Sequence, residues 1–366
     1  MSLETIWGNR QIPFLIKTKS SGSESWPAIS IIIPARNEER HIEQALQSVL
    51  TLDYPNYEIL ILNDRSTDQT EFILQRIAIR YPALHVHPIR ELPLGWLGKN
   101  HALYVGSQKA TGDYLLFADA DVVMETSVLR RAIRLIQSGS WDHLAVIPEM
   151  ITKNRALQIY ITQFMLFFSF FYKPWQAQNP KSNRFMGIGA FNLIKRSTYF
   201  SMGSHQAIAM RPDDDLMLGK LVKKKGYRQC VAFGRDLLWV EWYHSFPEMI
   251  QGLMKNTFAA LDYSISKVIL ASIAAALFFI FPLAGFFVPL MAIKLLAFLT
   301  ILLYLGVYAD SARFYHYNPF YGWTIPLASI LGLYIMWRAT FLTLWNRGIS
   351  WRNTPYALSE LKANKI

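Results

Sequence analysis

The chain has 366 residues, of which 52% are hydrophobic and 17% charged, and its formal net charge is +11. This length exceeds that of a usual single domain, so we expect one domain of roughly 250 residues with an appendage. No run of Lys and Arg is dense enough to indicate a nucleic-acid-binding tail, so the positive charge favours an anionic membrane surface or a phosphate-bearing substrate. The single cysteine, Cys230, excludes an internal disulfide and permits a reducing cytosolic location.

Residues 1–28 are predicted to be an amino-terminal extension. They contain Trp7, Asn9, Arg10 and Lys17, and they lack an apolar run of signal-peptide length. We therefore expect the amino-terminal part of the chain to stay in the cytosol.

An α/β pattern starts at residue 29. The β-branched run over residues 29–34 predicts a buried strand, and apolar residues recur at helix spacing over residues 42–50. A second buried strand is predicted over residues 57–62, followed by a polar turn and a helix with three inward-facing residues, Phe72, Ile73 and Ile77. A third strand is predicted over residues 114–118. Alternating strands and helices of this kind predict a parallel sheet covered by helices on both faces.

Polar residues follow the predicted strands. Asn37 comes after the first strand, Asp64 after the second, and Asp119 and Asp121 after the third. Because ligands of such sheets bind at the carboxyl ends of the strands, we expect these side chains to share one edge. We assign residues 29–266 to this domain.

An aromatic segment over residues 156–175 interrupts the later part of the domain. It is rich in Phe, Tyr and Trp but contains Gln158, Gln163 and Lys173, which disfavour a full membrane span. We interpret it as a helix lying at or near the bilayer surface, with an ordinary core helix as the alternative.

The apolar excess is concentrated after residue 267. Residues 268–308 are long enough for two membrane spans and residues 320–345 for a third, so residues 267–346 are predicted to hold two to three transmembrane helices. Residues 347–366 form a basic tail. Three spans would leave this tail opposite the cytosolic domain, against the positive-inside tendency. Either one segment is re-entrant or interfacial, or the tail departs from the rule.

The Asp119-Ala120-Asp121 triplet follows an apolar strand. Two carboxylates at this spacing can face the same side once the strand bends into a loop, where they can hold Mg²⁺ or Mn²⁺ against a diphosphate. Such triplets are also common in surface turns, so the triplet needs support from elsewhere in the chain.

A second acidic triplet, Asp213-Asp214-Asp215, opens a predicted amphipathic helix. Three adjacent carboxylates repel one another, and this cost is accepted at a solvated turn or where a cation, a proton or a catalytic task stabilises them. Helix capping and a functional role therefore both remain open for this triplet.

Five ordered motifs resemble those of family 2 glycosyltransferases. They are Pro-Ala-Arg-Asn-Glu-Glu at residues 34–39, Asn-Asp-Arg-Ser-Thr-Asp at 63–68, Gly-Trp-Leu-Gly-Lys-Asn-His-Ala at 95–102, Asp-Ala-Asp at 119–121 and Asp-Asp-Leu-Met-Leu at 214–218. The resemblance covers residues 29–263 and is strongest to the membrane-anchored branch that includes hopanoid- and carotenoid-pathway enzymes. It implies a GT-A (Rossmann-like) nucleotide-sugar-binding fold, a nucleotide-diphosphate sugar donor and inversion at the anomeric carbon.

The resemblance also implies a role for each matched residue. Glu38 and Asp64 would contact the nucleoside, and Lys99 the donor region. Asp121 would bind the metal, with Asp119 beside it. At the catalytic position, Asp215 would be the general base and Asp214 would stand where the family usually has glutamate.

Two features qualify the resemblance. The Gln-X-X-Arg-Trp motif of processive polysaccharide synthases is absent, and residues 239–246 instead read Trp-Val-Glu-Trp-Tyr-His-Ser-Phe, which favours a single transfer over polymerisation. The segment from Gly187 to Asn192 resembles the branch's acceptor region, although its glycine pair, Gly187 and Gly189, is equally typical of a tight turn.

The predicted function is transfer of a sugar onto a lipid-like or isoprenoid acceptor at the cytoplasmic face of a membrane. A non-catalytic nucleotide-binding membrane scaffold is one alternative. A nucleotidyltransferase is another, although no glycine-rich phosphate loop follows Ile33.

Overall fold

The computed structural model describes residues 2–21, 25–352 and 354–364. Its strands in chain order are β1 (Ile29–Ala35), β2 (Tyr57–Asp64), β3 (Leu84–Ile89), β4 (Tyr114–Phe117), β5 (Val122–Met124), β6 (His143–Ile147), β7 (Glu149–Ile151), β8 (Asn192–Lys195), β9 (Gln229–Phe233), β10 (Leu238–Glu241), β11 (Gly348–Trp351) and β12 (Thr354–Ala357).

The helices alternate with these strands in the first two thirds of the chain and then dominate. They are α1 (Ser2–Asn9), α2 (Ile42–Leu50), α3 (Thr70–Arg80), α4 (Gly98–Lys109), α5 (Val128–Ser138), α6 (Arg155–Tyr172), α7 (Arg196–Ser201), α8 (Asp214–Lys224), α9 (Phe246–Ala260), α10 (Ile265–Ala275), α11 (Phe281–Ala284), α12 (Met291–Tyr315), α13 (Ile325–Trp345) and α14 (Leu358–Ala363). A π-helical turn, Ala276–Ile280, joins α10 to α11.

The described residues form two compact units. Of the described residues, the sheet unit comprises 11–21, 25–151 and 174–241, whereas the helical unit comprises 2–10, 152–173, 242–352 and 354–364. The predicted domain boundary between residues 266 and 267 stays a prediction. In the helical unit α9, which precedes that boundary, packs along α13, which follows it.

The sheet unit is built on seven strands in the order β3-β2-β1-β4-β8-β6-β9. β1 pairs in parallel with both β2 and β4, and β8 lies antiparallel between β4 and β6. Alternate residues of β1 face opposite sides, since Ile31 and Ile33 belong to one apolar core and Ile32 to the other. The predicted α/β class is therefore confirmed, with both faces of the sheet covered, but the predicted parallel sheet is mixed, because β8 runs antiparallel to both of its neighbours.

Strand β3 was not expected from the sequence. Its two histidines and Pro88 break the apolar pattern, and only its first and last residues are buried. It lies at the edge of the sheet, and because β3 has no described strand on its outer side, the missing N–H of the proline can face that side without loss of a hydrogen bond.

The prediction for α3 was partly wrong. Ile77 is buried as expected and Ile73 is partly buried, but Phe72 is 60% exposed and Leu74 occupies the inward position instead. The inward face of this helix is therefore formed by Thr70, Leu74 and Ile77, with Ile73 at its margin.

Helix α6 covers most of the aromatic segment predicted to lie at the bilayer surface. Within the helical unit its Gln163 is buried and donates hydrogen bonds to Tyr321 O at 2.7 Å and to Thr324 Oγ1 at 3.1 Å. Its Ser169 is hydrogen bonded to the Tyr315 hydroxyl. Much of α6 is thus packed within the helical unit, and the choice between a surface helix and an ordinary core helix stays a prediction.

Three stretches among the described residues are long and apolar enough to cross a membrane. They are Ile265–Phe287, Met291–Tyr315 and Pro319–Trp345. After them the described residues of the basic tail form a hairpin of β11 and β12, with Gly348 paired to Ala357, followed by α14.

Candidate active site

The carboxyl edge of the sheet begins at two linked loops. The loop after β1 places Asn37 in the left-handed region with φ +56°, where its side-chain oxygen accepts a hydrogen bond from Thr67 N–H at 2.8 Å. The next residue, Glu38, donates its backbone N–H to Thr70 Oγ1 at 2.8 Å. These bonds tie the loop after β1 to the start of α3, so that Asn37 lies at the sheet edge as predicted, with Glu38 next to it.

Asp64 ends β2 and is buried between cationic groups. Arg65 donates two hydrogen bonds to its carboxylate, at 2.7 and 3.0 Å, and an Arg36 nitrogen lies 3.7 Å away. The first residue of α4 packs directly against it, because a Cβ on Gly98 would lie 2.4 Å from Asp64 Oδ2. The predicted nucleoside contact of Asp64 stays a prediction, but its charge is already balanced within the protein.

Lys99, the second residue of α4, joins two acidic segments. Its ammonium lies 2.8 Å from Asp119 Oδ1 and 3.4 Å from Asp214 Oδ2. Burial opposes its charge, but the carboxylates of Asp119, Asp214 and Asp215 outweigh that effect and raise the pKa of Lys99. Lys99 is therefore a permanent cation at the centre of the site.

Asp119 and Asp121 fit a hard divalent cation. Oδ1 of Asp121 is buried and has no hydrogen-bond partner among the residues that the structure describes. Burial, followed by the charges of Asp119 and Glu38, raises the pKa of the Asp121 carboxyl. A divalent cation would satisfy the unpaired oxygen and offset the repulsion between these acids, which is the chemistry that oxygen ligands provide for Mg²⁺ or Mn²⁺.

The second acidic triplet places its three carboxylates in three different environments. Asp213 forms a buried two-point ion pair with Arg211, with distances of 2.9 and 2.8 Å. Asp214 is buried and faces Lys99. Asp215 accepts hydrogen bonds from the backbone N–H of Gly189 at 2.9 Å and of Leu216 at 2.8 Å.

The environment of Asp215 favours proton uptake. Burial and the neighbouring Asp214 raise the pKa of its carboxyl, whereas Lys99 and the Leu216 N–H act in the opposite direction. A carboxylate with a raised pKa is a better proton acceptor near neutral pH than an ordinary aspartate.

The glycine pair of the 187–192 segment is required by close approach to these acids. A Cβ on Gly187 would lie 1.8 Å from the carbonyl oxygen of Asp215, and one on Gly189 would lie 2.5 Å from Asp119 Oδ2. Asp119 N–H also donates to Gly189 O at 3.0 Å. The pair is thus part of the site and not only a tight turn.

A recess at the sheet edge collects the central residues of the site. It is lined by Lys99, Leu103, Phe117, Ala118, Asp119, Gly189, Asn192, His205, Asp214, Asp215 and Leu218. The sequence had indicated the charged members, which come from α4, the loop after β4, and α8. The sequence had given no role to Asn192, the last residue of the Gly187–Asn192 segment, and no sequence pattern pointed to His205.

Fold and site together define a GT-A glycosyltransferase fold, in which an α/β sheet gathers carboxylates and a lysine at its carboxyl edge. Residues 30–200 match the family model for glycosyl transferase family 2. This part of the chain is therefore a glycosyl transferase family 2 domain, as its motifs had indicated.

Two further comparisons agree with this assignment. A 4,4'-diaponeurosporenoate glycosyltransferase from Staphylococcus aureus (strain USA300), a carotenoid-pathway enzyme, is 27% identical over 242 residues, which are 66% of this chain and 60% of that protein. The mannosyltransferase PcManGT from Pyrobaculum calidifontis, in complex with GDP-Man and Mn²⁺, superposes with a TM-score of 0.55 at 18% identity. That superposition covers 94% of this chain and 95% of that one, and it shows the shared fold.

Proposed function

We propose that this protein is an inverting, metal-dependent glycosyltransferase that moves one sugar from a nucleotide-diphosphate sugar to a lipid-like acceptor at the cytoplasmic membrane face. The observation that carries the proposal is the recess in which Asp215, with its raised pKa, lies beside Lys99 and Asp119. A proton acceptor, a fixed cation and a site for a second cation are the groups that this reaction needs.

Asp215 is the proposed general base. The acceptor hydroxyl gives its proton to the Asp215 carboxylate as its oxygen bonds to the anomeric carbon, and the bond from that carbon to the diphosphate breaks. The backbone N–H groups of Gly189 and Leu216 hold the carboxylate in place, so the acceptor meets a base of fixed orientation. Asp214 keeps the pKa of Asp215 raised.

Lys99 is proposed to bind the donor. As a buried cation between Asp119 and Asp214, it offers a positive charge to an anionic oxygen of the diphosphate. Asp121 and Asp119 would hold Mg²⁺ or Mn²⁺, which supplies further stabilisation of the charge on the leaving diphosphate. Glu38 and Asp64 remain the proposed contacts of the nucleoside.

The acceptor class is proposed from the apolar helices and from the relative. The three stretches able to cross a membrane would keep the protein where lipids are found. The Staphylococcus aureus relative is named for 4,4'-diaponeurosporenoate, which favours an isoprenoid or another lipid acceptor for this chain.

A donor screen tests the proposal. The purified full-length protein with Mn²⁺ is incubated with UDP-glucose, UDP-N-acetylglucosamine and GDP-mannose, and release of nucleoside diphosphate is measured. At least one donor should be hydrolysed slowly, and Asp215→Asn should reduce transfer to an added isoprenoid acceptor. Asp53→Asn is the matched control, because Asp53 is an exposed aspartate paired with Arg130. If no nucleotide sugar binds to or reacts with the wild-type protein, the proposal is wrong.

A further inference from the structure

We propose that Asn192 donates a hydrogen bond from its side-chain amide to an oxygen of the transferred sugar, and that His143 and Gln229 are positioning residues that fix this amide. The inference rests on the proposed glycosyl transfer and deepens it by naming a contact of the sugar. It is carried by a buried chain of hydrogen bonds that ends in the recess.

The polarity of this chain is set at one end by the protein backbone. The N–H of Met186 can only donate, and it donates to Gln229 Oε1 at 2.7 Å. The amide nitrogen of Gln229 therefore faces Nδ1 of His143, to which it donates at 2.9 Å, and it also donates to Gly219 O at 3.2 Å. Nδ1 of His143 is consequently an acceptor.

The order of donors continues through the imidazole ring. A neutral imidazole whose Nδ1 accepts must carry its hydrogen on Nε2, so His143 Nε2 donates to Asn192 Oδ1. Burial lowers the pKa of His143 to about 4, so the ring is neutral at physiological pH. A second ring hydrogen would face the amide nitrogen of Gln229 and break the order.

The last member of the chain presents its amide nitrogen to the site. With Oδ1 of Asn192 held by His143, Nδ2 is left without a hydrogen-bond partner among the residues that the structure describes, and Asn192 lines the recess together with Lys99, Asp119 and Asp215. A Cβ on Gly187 would lie 3.3 Å from Nδ2, so the glycine leaves that nitrogen uncovered.

The environment of Asn192 selects the part of the donor that it contacts. Lys99 and the proposed cation attract the diphosphate, whereas the amide of Asn192 is a neutral donor beside carboxylates. A sugar hydroxyl can accept a hydrogen bond from this amide while it donates to a carboxylate, which an anionic phosphate oxygen cannot do. The sugar is therefore the matching ligand.

Burying this chain of hydrogen bonds also costs stability, and an oriented amide at the recess gives a reason for that cost. His143, Gln229 and Asn192 are 0–2% exposed, and buried polar groups destabilise a fold unless every partner is satisfied. Apolar residues of similar size could fill the same space, but they would leave no oriented amide at the recess.

Binding measurements separate this role from a structural one. For wild type and Asn192→Leu, Kd is measured for UDP, GDP, UDP-glucose and GDP-mannose with Mn²⁺ and full-length protein. We expect Asn192→Leu to weaken binding of the nucleotide sugar roughly 3- to 10-fold, as for loss of one hydrogen bond, and to leave Kd for the nucleoside diphosphate within about twofold. Ser30→Ala, a buried polar change at the other end of the sheet, should alter neither.

Gln229→Glu tests the positioning residues. An ionised glutamate offers only acceptors, so the His143 hydrogen should move to Nδ1, which ¹⁵N NMR of labelled histidine detects at a pH where the glutamate is ionised. Affinity for the nucleotide sugar should then fall as in Asn192→Leu. The inference is overturned if nucleotide-sugar affinity is unchanged in both variants, or if UDP and GDP affinity falls equally. Failure of wild type to bind any nucleotide sugar would instead contradict the proposed function.

A second inference comes from the helical unit. We infer that the carboxyl-terminal tail lies on the same membrane side as α9, so that the three apolar stretches make an even number of complete crossings. The ammonium of Lys255 in α9 lies 4.1 Å from the ring centre of Trp351 in β11. Helix α9 precedes the first apolar stretch and β11 follows the third.

This contact is incompatible with three full crossings. Three crossings would separate Lys255 and Trp351 by a hydrocarbon layer of about 30 Å. A lysine charge is expensive inside that layer, so the contact lies at its boundary or beyond it. An even number of crossings also places the basic residues of the tail beside α9, which removes the conflict with the positive-inside tendency.

Cysteine labelling tests this topology. The natural Cys230 is buried, and burial raises the pKa of its thiol to about 12. Its thiol should therefore react very little with a maleimide. Gln251→Cys in α9 places an exposed thiol before the three apolar stretches in the chain, and Ser359→Cys in α14 places one after them. A membrane-impermeant maleimide should label both in the same vesicle orientation and neither in the opposite one. Labelling of the two in opposite orientations would overturn the inference.

Discussion

The two acidic segments of the site, residues 119–121 and residues 213–215, have similar composition and different electrostatics. In the first, Asp121 keeps a buried oxygen without a partner among the described residues, beside the charges of Asp119 and Glu38. In the second, Asp213 is paired with Arg211, Asp214 faces Lys99, and Asp215 is held by backbone N–H groups.

From this difference we propose that the first segment binds a cation and the second accepts a proton. A carboxylate oxygen with no donor near it is suited to a cation, whereas a carboxylate fixed by neutral N–H groups keeps lone pairs for a proton. Lys99 links the segments, so a change in either one alters the charge that the other experiences. Variants of each segment can therefore test this proposal.

The largest effect is expected at Asp215. Asparagine keeps the size and a hydrogen-bonding oxygen but cannot take a proton, so Asp215→Asn should lower transfer by about 10²–10⁴-fold. Binding of nucleotide sugar, measured by titration, should remain near the wild-type value. If Asp214→Asn lost transfer while Asp215→Asn kept it, the base would be the neighbouring residue.

Asp213→Asn should act on stability instead of chemistry. Its carboxylate is buried in a two-point pair with Arg211, and removal of one partner leaves an uncompensated charge that costs about 3–5 kcal/mol. Chemical denaturation of the detergent-solubilised protein measures the loss. Asp213 is thus unsuitable as a neutral control for its neighbours, and full stability of the variant would contradict the importance of the pair.

Asp121→Ala tests the cation-binding half of the comparison. Loss of the main proposed ligand should lower donor turnover by about 10²–10³-fold, the usual effect of removing one group that stabilises developing charge. Excess Mn²⁺ should restore little of this activity. Wild-type turnover that persists after treatment with EDTA would remove the metal from the mechanism.

The smallest expected effect is a shift in pH dependence. After burial, Asp214 is the main cause of the raised pKa of Asp215, so removing its charge should lower that pKa. The base works when deprotonated, and activity therefore rises with pH through its pKa. The acidic limb of kcat in Asp214→Asn should move to lower pH than in wild type, and an unmoved or upward-shifted limb would contradict the coupling.

Three of the seven strands that the structure describes in the main sheet, and the acidic residues that follow them, could be predicted from local sequence. The strands β1, β2 and β4 are short apolar runs, and the carboxyl ends of parallel strands bring Asn37, Asp64 and Asp119 to one edge whatever the loops between them do. Strand β3 escaped prediction because an edge strand with two histidines and a proline has little apolar pattern. Phe72 was wrongly assigned to the inward face, because an exposed aromatic residue next to an apolar stripe does not change the helical spacing of that stripe.

The sequence by itself determined which residue types stand after which strands, because the periodicity of buried side chains is local and the order of the strands follows from short connections. Only the tertiary structure decided how the three adjacent aspartates differ. Neighbours in sequence have the same composition around them, but Arg211, Lys99 and the Gly189 N–H approach one carboxylate each. It also decided that Asn192, His143 and Gln229 form one chain of hydrogen bonds, since hydrogen bonds are satisfied by whichever groups the packed chain brings within about 3 Å.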